Sequence, residues 1–163
     1  MNFTIRTAKI EEFGAIQVLI NRSTRELQRG FYEESETEAA LELISGLDVL
    51  IQSGQYFVDE SDGVIAVCGG ASLVQDEKMS AEVRGFFVAP EYARKGVAPK
   101  VLKHCEAYCK EKGVQSLFLA STLSGESFYR KLGFIDISHF KEPLSNGQFF
   151  DLVNMEKKLL IFQ

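Results

Sequence analysis

Residues 82–98 carry the most informative pattern of the chain and read Glu82-Val-Arg-Gly-Phe-Phe-Val-Ala-Pro-Glu-Tyr-Ala-Arg-Lys-Gly-Val-Ala98. The pattern predicts a buried strand, a short glycine-containing loop and the beginning of a helix. Such a turn directs free backbone N–H groups and the positive end of the helix to one place, which suits a pyrophosphate. Gly96 would let the backbone approach a ligand closely, and Arg94 and Lys95 add positive charge. The segment therefore predicts an anion site, although an ordinary helix start has the same pattern.

The elements around this segment predict a single α/β domain over residues 1–163. Before it we expect a strand at Phe3–Thr7, a helix from Ile10 to about Leu27, and a second helix that a Ser35–Glu38 capping box opens and that continues through Leu47. Strands are expected at Tyr56–Asp59, Val64–Leu73 and Ser80–Val88, with turns at residues 61–63 and 75–78.

After the segment 82–98 we expect two helices and three strands. They are a helix from about Val97 to Lys112, a strand at Ser116–Ala120, a short helix through Phe128, Tyr129 and Leu132, and strands near Phe134–Phe140 and Phe149–Leu159. Because a crossover helix separates them, strands 80–88 and 116–120 should be parallel within a mixed sheet.

Composition excludes several classes of protein. The 163 residues include 45% hydrophobic and 25% charged side chains, values typical of one soluble globular domain. A net charge of −5 argues against nucleic-acid binding, and no apolar stretch approaches the roughly 20 residues that cross a bilayer. The N-terminus lacks the layout of a signal peptide, and the three cysteines are an odd number that favours reduced thiols. We therefore expect a cytoplasmic protein without a membrane partner.

Two motifs carry a resemblance to a known family. Ala93-Arg-Lys-Gly-Val-Ala98 and Ser127-Phe-Tyr-Arg-Lys-Leu-Gly-Phe134 are similar to the Gln/Arg-x-x-Gly-x-Gly/Ala loop and the Phe-Tyr-x-Lys-x-Gly-Phe motif of the GNAT superfamily of N-acetyltransferases, which bind acetyl-CoA. Ala93 replaces the usual Gln or Arg at the first position of the loop. The resemblance implies an α/β fold of the α+β type. Its mixed, mostly antiparallel sheet would have helices on both faces and a central parallel strand pair splayed around the cofactor.

The resemblance implies transfer of an acetyl group from acetyl-CoA to a primary amine by direct attack in a ternary complex. Tyr129 stands at the position of the family's general acid, and a phenol is protonated at pH 7, which suits a departing thiolate. The alternative interpretation is that Tyr129 is an aromatic residue of the core without a catalytic role. Glu82, eleven residues before the loop, stands where some members carry a glutamate base. The alternative interpretation is that Glu82 is a surface charge or an ion-pair partner of Arg84.

The resemblance also implies a set of cofactor contacts. The amide of Val88 would donate to the thioester carbonyl, and Phe87 and Val88 would line the pantetheine arm. Ser121 and Thr122 would form the opposite wall, and Gly85 would supply the irregularity that separates the strands. The loop would hold the pyrophosphate mostly through backbone groups, and its members are Ala93, Arg94, Lys95, Gly96, Val97 and Ala98.

Acceptor selection is expected from the first two helices and their connection. Tyr32, Glu33 and Glu34 would form an aromatic, acidic mouth for a cationic amine, which the negative net charge would attract. Such a run is more often a solvated loop with a helix cap. The acceptor is either a small amine (a polyamine, an amino acid or an aminoglycoside) or a protein amine, and the sequence does not decide between them.

Two other functions stay open from the sequence. One is a non-catalytic acyl-CoA-binding or regulatory module on the same fold, and the other is an unrelated α/β domain with an anion-binding helix start. No metal is expected, because His104, Cys105 and Cys109 match no closed zinc set and His139 is isolated. A homodimer is also open, since the apolar residues 159–162 could pack on a neighbouring copy or fold back on their own sheet.

Overall fold

The computed structural model describes residues 2–74 and 79–159, which form a seven-stranded sheet of order β1-β2-β3-β4-β5-β7-β6. The strands are β1 (Thr4–Thr7), β2 (Tyr56–Ser61), β3 (Val64–Val74), β4 (Ser80–Val88), β5 (Ser116–Thr122), β6 (Ile135–Pro143) and β7 (Phe149–Lys158). The helices of the described residues are α1 (Phe13–Leu27), α2 (Glu34–Ala40), α3 (Leu47–Gln52), α4 (Ala98–Glu111) and α5 (Glu126–Lys131), with short 3-10 turns at Ile10–Glu12, Leu41–Leu43 and Pro90–Tyr92.

The sheet is mostly antiparallel with one parallel pair near its centre. β4 and β5 run parallel, and the other neighbouring strands of the described residues run antiparallel. The parallel pair follows from the connection through α4, because a crossover helix returns the chain to the same end of the sheet. The predicted α/β class and the predicted parallel pair are both confirmed.

Helices cover the sheet from both sides. On one side, which we call the α1 face, Ile16 of α1 and Leu50 of α3 pack against the buried ring of Tyr56. On the opposite side, the α4 face, Leu102 packs against Val83, and α5 adds its aromatic residues. Because side chains alternate along a strand, the strands β2, β3 and β4 contribute side chains to both faces.

The prediction for the second helix is wrong in its cap and in its length. The capping residue is Glu33, not Ser35, and the side chain of Glu36 accepts the N–H of Glu33 over 2.9 Å. α2 ends at Ala40, and the apolar residues up to 47 belong to a 3-10 turn, a short connection and the separate helix α3. Apolar spacing fits one long helix and two short ones equally well, because it records burial rather than chain continuity.

Other local predictions have clear outcomes. The 61–63 hairpin turn and the helix at about 97–112 are confirmed, and the predicted turn at 75–78 lies outside the described residues. Leu159 packs into the core of the α4 face, whereas residues 160–162 of the predicted apolar end lie outside the described residues. No helix in the described part of the chain combines the length and the apolar character needed to cross a membrane.

Candidate active site

β4 and β5 separate shortly after they begin. Among the described residues, Ser80–Glu82 of β4 pair with Ser116–Phe118 of β5, and no later residues of the two strands pair. From there residues 83–88 and 119–122 border an opening that we call the β4–β5 gap. The register of β3 on β4 also shifts between Cys68 and Gly70, at the level of Gly85. The irregularity expected at Gly85 is therefore present.

Tyr56, which the sequence did not suggest as a functional residue, fixes this irregularity. Its buried hydroxyl donates to the carbonyl of Gly85 over 2.6 Å. Gly85 has a φ of +61°, and a Cβ atom there would lie 3.0 Å from Cε2 of Tyr56. A glycine is required at this position because both the backbone conformation and the close aromatic ring disfavour a side chain. No local sequence signal links the two residues.

The backbone N–H of Val88 points into the β4–β5 gap. Residue pairs in an antiparallel ladder alternate between hydrogen-bonded and non-hydrogen-bonded pairs. The N–H of Ala89 donates to the carbonyl of Ala66 over 2.8 Å, and Val88 lies opposite Val67. Val88 therefore belongs to a non-hydrogen-bonded pair, and its N–H is directed away from β3. The neighbouring side chains diverge, since Phe87 packs on the α1 face and Val88 on the α4 face.

Residues 93–98 form the loop that leads from the β4 end into α4. Arg94 and Gly96 both have positive φ, +61° and +75°, and Arg94, Lys95 and Gly96 are exposed. Among the described residues, no backbone carbonyl accepts the N–H groups of residues 94–97. Val97 anchors the loop in the core, and α4 begins at Ala98. The loop therefore presents unpaired donors at the positive end of a 14-residue helix.

Tyr129 lies on α5 against the α4 face of the sheet. Its half-buried ring contacts Phe86, Phe128 and Phe134 edge to face, with centroids 5.1–6.4 Å apart. Burial raises the pKa of the phenol above its ordinary value, so the hydroxyl is protonated at neutral pH. The C-terminal turn of α5 is closed by the N–H of Phe134, which donates to the carbonyl of Tyr129 over 3.1 Å.

Glu82 lies on the opposite side of the sheet from Tyr129. Its neighbours Ala81 and Val83 belong to the core of the α4 face, so the side chain of Glu82 projects from the α1 face. Its Oε1 lies 3.3 Å from Nε of Arg84, and 40% of the side chain is exposed. Arg84 in turn donates to the carbonyl of Ser45. The structure thus contains the ion pair with Arg84 that the sequence left open as the alternative to a base role. Glu82 also belongs to the last residue pair of β4 and β5 before the β4–β5 gap.

Ser121 and Thr122 close the turn between β5 and α5. The buried hydroxyl of Ser121 donates to the carbonyl of Thr122 over 2.8 Å, and Oγ1 of Thr122 accepts the N–H of Gly125 over 3.2 Å. A Cβ atom on Gly125 would lie 3.1 Å from Oγ of Ser121 and 3.5 Å from the ring of Tyr129. The two hydroxyl side chains therefore position α5, and with it Tyr129.

The predicted acceptor residues have different environments. The hydroxyl of Tyr32 donates to the carbonyl of Asp151 over 2.6 Å and accepts the N–H of Leu123 over 2.8 Å, and burial raises its pKa to about 12. Glu33 caps α2, and Glu34 is exposed in its first turn. Tyr32 therefore connects the α1–α2 loop to the ends of β5 and β7, while the two glutamates lie at the surface.

Cysteine and histidine side chains do not gather into one group. Burial raises the pKa of Cys68 to about 12 and that of Cys109 to about 11, as expected for core thiols, and His104 packs against Phe57. The prediction that His139 is isolated is wrong, because its ligand atoms lie within 4.8 Å of those of Glu126 and Asp136. The guanidinium of Arg130 pairs with both carboxylates, so this exposed cluster already contains a cation.

Comparisons with known proteins agree with this geometry. The family model described as the acetyltransferase (GNAT) family matches residues 21–134. The amino-acid acetyltransferase of Pasteurella multocida (strain Pm70) is 28% identical over 119 residues, which are 73% of this chain and 24% of that protein. The chain thus spans about a quarter of the length of this curated relative.

Two solved structures share the fold over nearly the whole chain. A GCN5-related N-acetyltransferase from Rhodopseudomonas palustris has a TM-score of 0.80 at 17% identity, over 98% of this chain and 97% of that one. The paia N-acetyltransferase from Thermoplasma acidophilum, in complex with coenzyme A, has a TM-score of 0.75 at 23% identity, over 98% and 100%. Because the family model also matches well over half of the 163 residues, the chain belongs to the acetyltransferase (GNAT) family.

Proposed function

We propose that the domain, residues 1–163, transfers an acetyl group from acetyl-CoA to a primary amine by direct attack in a ternary complex. The observation that carries this proposal is the β4–β5 gap, with the N–H of Val88 directed into it and the donor loop 93–98 following the same strand. The gap offers a slot for an extended thioester, and the loop offers donors for a pyrophosphate. A relative solved with coenzyme A supports the choice of cofactor.

The residues of this chain suit both the pyrophosphate and the pantetheine arm of acetyl-CoA. Unpaired N–H groups of residues 94–97 and the N-terminus of α4 would take the pyrophosphate, with Arg94 and Lys95 adding charge. A Cβ atom on Gly96 would meet nothing within 4 Å, so open space lies beside the loop. Phe87 and Val88 would border the pantetheine arm on one side, and the turn of Ser121 and Thr122 would border it on the other.

The two faces of the sheet would serve different steps of the reaction. The N–H of Val88 would stabilise the oxygen of the tetrahedral intermediate. When the C–S bond breaks, the hydroxyl of Tyr129 on the α4 face would protonate the leaving thiolate. The proton that the amine loses would pass to Glu82 on the α1 face, through water, because the partly exposed carboxylate is accessible to solvent. Because the gap separates two neighbouring strands of one sheet, groups on both faces would be able to reach it.

The experiment has a binding arm and a turnover arm. Acetyl-CoA at about 100 times its dissociation constant should raise the unfolding temperature by roughly 5–10 °C, and ADP serves as the control ligand. Release of the CoA thiol is then followed with spermidine, a mixture of L-amino acids, an aminoglycoside and a short peptide with a free N-terminus. Thermal stabilisation without turnover on any amine would favour the non-catalytic acyl-CoA-binding module instead. No stabilisation by acetyl-CoA would refute the proposal.

Tyr129→Phe tests the proposed acid. Turnover should fall by about 100-fold or more, because general acid catalysis typically contributes that much, while the affinity for acetyl-CoA stays unchanged. Tyr108→Phe is the matched control, since Tyr108 is another half-buried tyrosine of the α4 face. Equal turnover of the two variants would exclude Tyr129 as the acid.

A further inference from the structure

The buried stripe of α1 changes from apolar to polar along the helix. Ile16 and Ile20 are fully buried in the core of the α1 face, and the next residues at the same spacing are Thr24 and Gln28, each only 5% exposed. Residues four apart lie on one side of a helix. On the side of α1 that faces the sheet, the apolar core residues are therefore followed by two buried polar residues, Thr24 and Gln28.

Two oxygen atoms on this stripe have no partner. Oγ1 of Thr24 and Oε1 of Gln28 are buried and lack a hydrogen bond within the described residues. Buried polar groups in folded proteins are nearly always paired, because an unpaired group loses its bonds to water without replacement. The fold gives no reason for these two polar side chains, since Val and Leu would fill similar volumes without this cost.

The second half of α1 runs from the end of β4 toward the end of β5, the two strands that border the β4–β5 gap. At one end of this segment, Ile20 belongs to the same core cluster as Phe87 and Ala89 at the end of β4. The next turn is tied to the same region by the ion pair of Arg22 and Glu91, 2.7 Å apart. Beyond the helix, the N–H of Leu123, directly after β5, donates to the hydroxyl of Tyr32. Thr24 and Gln28 therefore lie between the end of β4 and the end of β5.

We infer that Thr24 and Gln28 hold the acceptor amine, an inference that rests on the proposed function. A neutral primary amine has two N–H bonds and one lone pair, so two acceptor oxygens can take both N–H groups and leave the lone pair for the acetyl carbon. Both oxygens are uncharged, so they do not stabilise the ammonium form over the reactive neutral amine, as a carboxylate would. The amine nitrogen then bonds to the acetyl carbon as the C–S bond breaks. The subsite selects primary over secondary amines, because a secondary amine offers one N–H.

The test compares Thr24→Val and Gln28→Leu with the wild-type chain. Each substitution removes an unpaired oxygen at similar volume. We expect an unfolding temperature equal to or above that of the wild type, a KM for the amine at least tenfold higher, and an unchanged KM for acetyl-CoA. Gln17→Leu is the matched control on the same helix, because the Gln17 amide is partly exposed and donates to Asn21. It should change neither KM.

The outcomes separate this inference from the proposed function. The assay uses the best amine of the panel and its N-methyl derivative, which the wild type should acetylate at least tenfold less efficiently. Wild-type turnover with an unchanged amine KM in both variants would overturn the inference alone. A change confined to the KM for acetyl-CoA would also overturn the inference, because it would assign the two oxygens to cofactor binding. A clearly lower unfolding temperature would overturn it as well, because it would assign them to the stability of the fold. A wild-type chain that acetylates none of the amines would overturn the proposed function and the inference with it.

Discussion

Replacing Asp59 with asparagine is expected to stabilise the protein at neutral pH. Asp59 lies on β2, is only 1% exposed, and neither of its carboxylate oxygens has a hydrogen-bond partner within the described residues. Burial raises the pKa of this carboxyl above 3.8, although the charge of Lys100 and a weak contact with the backbone N–H of Glu60 partly oppose the shift. At pH 7 the folded chain therefore maintains a poorly solvated negative charge, which Asp59→Asn removes at nearly constant volume.

The size of the effect follows from the environment of the two oxygens. A buried group without a partner costs about 1–3 kcal/mol, and more when it is charged. The asparagine amide stays unpaired in the same place, so only the part due to the charge is recovered, about 1 kcal/mol in the free energy of unfolding. For a chain of this length that corresponds to a rise of roughly 2–4 °C in the unfolding temperature.

The pH dependence gives the prediction its sign. A carboxyl whose pKa is raised in the folded state binds its proton more tightly when folded, so the wild type loses stability from this group as pH rises above 3.8 and through the raised value. The advantage of Asp59→Asn should therefore be largest at pH 7 and shrink on acidification.

Thermal unfolding at pH 7 and pH 5, followed by circular dichroism, measures this difference. Asp62→Asn at the exposed hairpin turn is the control, with an expected change within about 0.5 kcal/mol at either pH. A less stable Asp59→Asn variant at pH 7, or an advantage that grows on acidification, would refute the reasoning and indicate a partnered carboxylate.

Two further predictions concern tyrosines that fix the site. Tyr56→Phe removes the bond to the Gly85 carbonyl and should lower the free energy of unfolding by about 1–2 kcal/mol. It should also weaken acetyl-CoA binding in titration calorimetry, and unchanged affinity would mean that the bond does not shape the β4–β5 gap. Tyr32→Phe removes two bonds, to Asp151 and from Leu123, and should cost about 1–3 kcal/mol in denaturant unfolding. A cost near zero would show that stacking on Phe150, with ring centroids 4.0 Å apart, suffices to hold the loop.

The sequence predicted those parts of the structure that depend on near neighbours. The strand–loop–helix at residues 80–112 follows from local alternation, small loop residues and helical periodicity, and the structure confirms it. Local patterns of this kind are visible because burial repeats every two or every 3.6 residues.

Long-range polar contacts were beyond the sequence. The hydroxyl of Tyr56 meets Gly85 across 29 residues, and that of Tyr32 meets Asp151 across 119. The sequence pattern around a buried tyrosine is the same whether its hydroxyl bonds to a β-bulge, to a loop or to a ligand. The position of a tyrosine in the sequence therefore does not reveal the partner of its hydroxyl. The cap of α2 was missed for a related reason, because several polar residues between 33 and 38 could fill it.

The short pairing of β4 with β5 has a consequence for the cooperativity of the fold. In the described residues, three pairs join the half-sheet β1–β4 to the half-sheet β5–β7–β6. Because few inter-strand hydrogen bonds cross this seam, the two halves of the sheet are held together mainly by the side chains of the α4-face core, by α4 and by the α1–α2 loop. Amide exchange would then report local opening along this seam well before global unfolding. A ligand seated in the gap would join the halves and make them unfold together.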